Sequence, residues 1–148
     1  MHRAVTGALA LALSSVVLVA ARAAGDAPPA IAIGEIAAPA TTSRELVVGL
    51  LETELQGRDD VRLASSARRA RYVLRGSVVH LEQRGVADGI EVRCEISLIV
   101  SEARGGAIRA LLSGRAGARG VDDPERLARA ALEGAVHGAL RPLGDRLR

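Results

Sequence analysis

The side chains that could do chemistry are few, and their spacing limits what they could do. After the first 23 residues there are two histidines, His80 and His137, and one cysteine, Cys94. Beside them stand the acid pairs Asp59-Asp60 and Asp122-Asp123 and the serine pair Ser65-Ser66. A metal site needs converging ligands, and no His-x-x-x-His, Cys-x-x-Cys or acidic ligand cluster is present. A catalytic cysteine needs a nearby base or helix N-terminus to favour its thiolate. Cys94 instead alternates with Val92 and Ile96, which predicts a buried, inert thiol. Ser65-Ser66 lacks the G-x-S-x-G frame of a nucleophile elbow. The acid pairs fall where turns and helix caps belong, and each histidine reads as a surface or partly packed residue.

The stretch "GRAGARG", residues 114 to 120, follows a strand and precedes a helix, as phosphate-binding loops do. Its G-x-x-G-x-x-G spacing, with Gly114, Gly117 and Gly120, matches neither the dinucleotide fingerprint nor the Walker pattern. No lysine follows to meet a phosphate, and Asp122 and Asp123 would repel one. A flexible strand end is the favoured reading, with a small-ligand or anion site (or an enzyme built on it) as the rival. No cofactor is implied.

Composition narrows the classes further. All 20 basic residues are arginine, alongside abundant alanine and glycine, which points to a GC-rich genome more than to a basic binding surface. Arginines alternate with glutamates in "EVRCE" and "PERLARAALE", whereas a nucleic-acid footprint clusters them on one face. A single tyrosine, Tyr72, cannot build the aromatic stacking platform that single strands require. No nucleic-acid partner is expected. The lone cysteine allows no intrachain disulfide, so the core must be made of Leu, Ile, Val and Ala.

The chain opens as an export signal. His2 and Arg3 precede an apolar run from Ala4 to Ala20, and Ala21-Arg22-Ala23 supplies an A-x-A cleavage pattern. Residues 1–23 are read as the signal and 24–29 as a flexible leader. Cleavage after Ala23 leaves 125 of 148 residues, and the formal charge falls from +3 to +1 as Arg3 and Arg22 depart. A retained membrane anchor is the competing reading, since a spanning helix needs roughly 20 apolar residues. After cleavage no stable membrane insertion is expected, and the location is periplasmic or secreted.

The elements that must position these side chains follow from periodicity. A strand is predicted over about 30–36, then a helix starting at the Thr42/Glu45 capping box and stopping at Gly57. A short strand at 61–65 leads to a long one at 71–83. The turn "RGVADG" then gives way to "IEVRCEISLIVS", which alternates strictly except at Ile99. A further strand at 107–119 precedes a helix capped by Asp123 with Pro124 in first position, running to about Leu140. Residues 30–143 thus form one α+β domain, a two-layer sandwich of order β-α-β-β-β-β-α. Its sheet is mostly antiparallel and both helices pack on one face. Residues 144–148 are left as a tail.

The succession "SARRARYVLRGSVVHLEQ", "GIEVRCEISLIVSEARGGAI" and an alanine-rich closing helix resembles a periplasmic module. It is similar to the soluble domain of curli-secretion-channel lipoproteins and of lipoprotein activators of penicillin-binding proteins. The N-terminal domain of the Tol-Pal propeller protein has a similar architecture. The resemblance rests on Ala70, Tyr72, Val73, Leu74, Gly76 and Val78, and on Leu98, Val100, Glu102, Gly106 and Ile108. It implies that Gly76 is a backbone device rather than a ligand site. The acylated cysteine of those lipoproteins and the extra strands of the curli channels have no counterpart here, so pore formation is not carried over.

The combined expectation is an exported, non-catalytic binding or assembly module of the cell envelope. Its partner would be an envelope protein or another copy of itself. Contacts would use a sheet edge or the polar strand face of Arg75, Ser77, Glu91, Arg93 and Glu95.

Overall fold

Caps and alternation settle where the elements begin and how they stack. The computed structural model describes residues 27–148 apart from 122, so the signal reading and Asp122 lie outside the described residues. Along the chain come β1 (Ala30–Ala37), α1 (Arg44–Gln56), β2 (Arg62–Leu63) and a 3-10 turn (Ala67–Arg69). Then follow β3 (Tyr72–Val86), β4 (Gly89–Glu102), β5 (Ile108–Gly120), α2 (Pro124–Leu140) and a short α3 (Leu143–Leu147). This is the expected α+β order with one helix added at the end.

The sheet runs β2-β1-β3-β4-β5 and is mixed. β1 pairs in parallel with β2 and β3, while β3, β4 and β5 form an antiparallel meander. On one face lie Ile31, Leu74, Val78, Val92, Ile96, Leu98, Val100 and Leu112, with α1 and α2 laid over them. The two helices contribute Val47, Leu51 and Leu55, and Leu127, Ala131, Leu132, Ala135, Val136 and Ala139. Each fully buried aliphatic side chain contributes about 1.5 to 3 kcal/mol, so a core without phenylalanine or tryptophan suffices. Tyr72 is the one aromatic, 2% exposed in that core. Every residue of the core lies between Ile31 and Leu143.

Capping differs by one residue from the expectation for α1. Ser43, not Thr42, is the N-cap, and its hydroxyl accepts the Leu46 N–H at 3.1 Å. Either hydroxyl satisfies the local rule, and the choice is made by burial, because starting at Arg44 points Val47, Leu51 and Leu55 inward. Asp123 caps α2 as expected, accepting the Glu125 N–H at 3.0 Å, with Pro124 in the first turn. Residues 144–148 are not a loose tail. Leu143 and Gly144 are buried, and Gly144 lies against Asp60 where a side chain would collide with its carboxylate. Arg58 holds that carboxylate with bonds of 2.8 and 2.6 Å and donates a third, at 2.9 Å, to the Leu140 carbonyl. The link α1 has after its last turn thus ties down the end of α2.

Candidate functional site

Because the helices cover one face of the sheet, the other face is where β3, β4 and β5 meet whatever lies outside. Their register sorts its side chains into cross-strand rows. Val73, Ser101 and Ile108 form the first row, Arg75, Ile99 and Leu111 the second, and Ser77, Ser97 and Ser113 the third. His80, Glu95 and Arg115 form the next, then Glu82, Arg93 and Gly117, then Arg84, Glu91 and Arg119. Two halves of different character result. One is aliphatic and serine-rich; the other is a carpet of opposite charges.

In the charged half Glu91, Glu95 and Asp88 each have an arginine, and Glu82 has His80. Glu91 accepts from Arg84 Nε at 2.6 Å and from Arg93 Nε and Nη2 at 3.2 and 3.1 Å. These guanidiniums, Arg84 first, hold the Glu91 carboxyl below its ordinary range. Arg115 donates to Glu95 at 2.9 Å, which raises the Arg115 pKa. Arg119 pairs with Asp88, and His80 Nε2 lies 3.2 Å from Glu82. Of these groups His80, Glu91, Arg93, Glu95 and Arg115 border an open hollow of about 620 Å³. With its charges matched in pairs, this half is a solvated, nearly neutral surface whose exposed pairs add little stability.

The aliphatic half is different. Leu111 is 69% exposed, Ile108 63% and Ile99 39%, and Ile99 sits directly opposite Leu111. This places a strip of large apolar side chains on β4 and β5 with no described helix over it. β5, 13 residues long, also ends the sheet, so its far side carries unpaired backbone groups. Long flat edges are the ready template for pairing with another chain.

Of the expected face, Glu91, Arg93 and Glu95 are thus gathered in the charged half, while Arg75 and Ser77 lie in the aliphatic half. Ile108, Leu111 and Arg115 complete the face and were missing from the sequence reading. The available signal was Ile99, the one apolar residue on the polar side of its strand. Ile108 was concealed by a bulge. The register shifts between Val100 and Ser101, so Ile108 opposite Ser101 shares the outward side with Leu111 despite the odd spacing. Simple alternation would have put Ile108 inward with Ala110 and Leu112.

The remaining candidates are placed as follows. Cys94 is 3% exposed between Val92 and Ile96, and burial pushes its thiol pKa up to about 11. His137 Nδ1 meets Glu54 at 2.9 Å, joining α2 to α1. Ser65 and Ser66 precede the 3-10 turn, and Ser66 makes no side-chain capping bond. The 114–120 segment is the end of strand β5, as the favoured reading had it. Gly114, Gly117 and Gly120 pair with Ile96, Arg93 and Ile90 inside β5. Gly114 faces α2, where a Cβ would come within 1.9 Å of the Ala135 carbonyl oxygen, so the glycine lets helix and strand backbones touch. Among the described residues, no three His, Cys, Asp or Glu side chains gather to hold a metal. No described helix is long and apolar enough to cross a membrane.

No family model matches the chain, and no curated protein sequence does. Solved structures do. The chain is similar to PelC from Paraburkholderia phytofirmans, solved as a dodecamer, at 22% identity and a TM-score of 0.59, covering 80% of this chain and 90% of that one. A Xanthomonas campestris protein of the DUF330 family gives the same TM-score, 0.59, at 10% identity, over 79% of this chain and 82% of that one. Lipoprotein GNA1162 from Neisseria meningitidis follows at 10% identity and a TM-score of 0.50, over 68% of this chain and 90% of that one. At these identities the likeness is one of fold. The chain has the mixed-sheet α+β architecture also found in PelC and in a bacterial lipoprotein.

Proposed function

We propose that the protein is an exported, non-catalytic assembly module of the bacterial cell envelope that works by associating with further copies of itself. The observation that carries this is the strip of Ile99, Ile108 and Leu111 on the uncovered sheet face, beside the unpaired edge of β5. Exposed aliphatic side chains grouped on one face mark interaction surfaces more often than isolated ones do. The fold is shared with a protein solved as a dodecamer and with a lipoprotein, which supports both the envelope setting and the self-association. The resemblance of about residues 31–140 to envelope lipoprotein modules points the same way.

The strip contains no tryptophan or tyrosine anchor of the kind that dominates tight interfaces. Each contact is therefore weak and the assembly relies on repetition. A photo-crosslinking residue placed at Leu111 in the exported protein tests this. A product of twice the chain's mass is expected from Leu111 and not from Glu52 on exposed α1. Crosslinks from Leu111 only to other proteins would contradict self-association.

A further inference from the structure

One end of the molecule collects positive charge without matching acid. Arg68 and Arg69 of the 3-10 turn, Arg71 before β3 and Arg104 of the β4–β5 turn border a hollow of about 430 Å³. All four are exposed. The acid in its lining, Glu102, is taken by Arg109, with Nε to Oε1 at 2.9 Å. Among the described residues none of the four has an acid partner, whereas Arg84, Arg93, Arg115 and Arg119 on the sheet face all do.

The backbone holds these arginines in place. The Arg69 N–H donates to Ser66 at 3.1 Å, the Arg71 N–H to Ala30 at 2.8 Å, and the Ala103 N–H to the Arg71 carbonyl at 2.9 Å. The turn bearing Arg104 is closed by Gly105 and Gly106 in the left-handed region, with φ of 86° and 71°. Arg71 also rests over the Tyr72 ring at 5.2 Å, which fixes its direction. Four like charges held this close repel one another until an anion neutralises them.

The position of the chain's entry names the anion. Ala30, where β1 begins, borders the same hollow. The sequence that precedes it contains the apolar run ending at Ala20. Ten residues span at most about 35 Å, so until cleavage after Ala23 the export signal holds the arginine end within reach of the membrane surface. We propose that this end docks on an anionic phospholipid surface, with the 3-10 turn and the β4–β5 turn toward the headgroups.

The test is sedimentation of the chain from Ala24, which contains every described element and the whole core, with lipid vesicles. Binding is expected to vesicles of phosphatidylcholine with phosphatidylglycerol, to fall with added salt, and to be absent with phosphatidylcholine alone. Arg68→Gln/Arg69→Gln/Arg104→Gln is expected to weaken it by about a hundredfold, several-fold for each arginine. Because these side chains are exposed and unpaired by acids, the triple variant should keep the parent's melting curve and association state. Loss of vesicle binding then reports neither unfolding nor failed assembly. Equal binding to both vesicle types, no binding, or an unchanged variant would overturn the proposal. Saturation by inorganic phosphate with no vesicle binding would overturn it too, by assigning the arginines to a soluble anion.

Discussion

Cys94 shows how a residue's neighbours decide its chemistry. It lies in mid-strand with Val92 and Ile96, and burial alone pushes its pKa from the ordinary 9.0 to about 11. The folded state therefore keeps the proton through a range in which the unfolded chain releases it. Stability from this group is complete below pH 9 and is lost as the pH rises toward 11. A shift of that size corresponds to about 2 to 3 kcal/mol. Denaturant melts of the parent and of Cys94→Ala from about pH 8 to about pH 11 should diverge in slope, with the alanine variant falling less. Parallel curves would show that the thiol is not held in the core.

At the scale of elements, Gly76 shows what pairing demands. β3 is not bulged there; Gly76 stays in register opposite Leu98, and the extra residue falls after Val78. A Cβ at Gly76 would lie 2.4 Å from the Ser97 carbonyl oxygen and 3.2 Å from the Leu98 Cα. Both are backbone atoms of β4 and cannot swing away. Gly76→Ala should therefore destabilise by about 1 to 3 kcal/mol, the range for forced overpacking. Gly85, on the same strand with nothing within 4 Å of its Cβ, supplies the control. Gly85→Ala should be neutral or slightly stabilising in the same denaturant melts, since it removes chain entropy without a clash. Equal effects at the two positions would contradict the close-approach account.

The elements also show what local pattern can and cannot reveal. Asp123-Pro124 and the alternation of residues 90–101 act over one turn or one strand, so the start of α2 and the inner face of β4 were readable. The resemblance pointed to Gly76 as a backbone device and the structure agrees. What escaped depends on partners distant in sequence. The bulge that turns Ile108 outward is defined only by pairing with β4, and Gly114 gains its role only from α2 crossing above it. The buried end of the chain at α3 depends on Arg58 and Asp60, more than 80 residues earlier. The candidate face was accordingly half legible. Its charged residues were named, and its aliphatic ones were not, apart from the exception at Ile99.

For the whole molecule, one covered and one uncovered sheet face set the expected behaviour. The helix layer completes the core, and the charged half of the outer face needs no partner because its ions are matched. The aliphatic half and the edge of β5 remain open, and the arginine end lies next to the first row of that half. On the proposed reading the molecule uses distinct surfaces for copies of itself and for an anionic surface, and neither requires the other to fold.

The proposed self-association through the strip around Leu111 should show directly in solution. The most direct measurement is the mass in solution of the chain from Ala24, by sedimentation across a range of concentrations, beside that of Leu111→Glu. Masses that are multiples of the chain and rise with concentration are expected, with a variant that stays monomeric and keeps the parent's melting curve. A parent that remains monomeric at every concentration, or a variant that associates as the parent does, would contradict it.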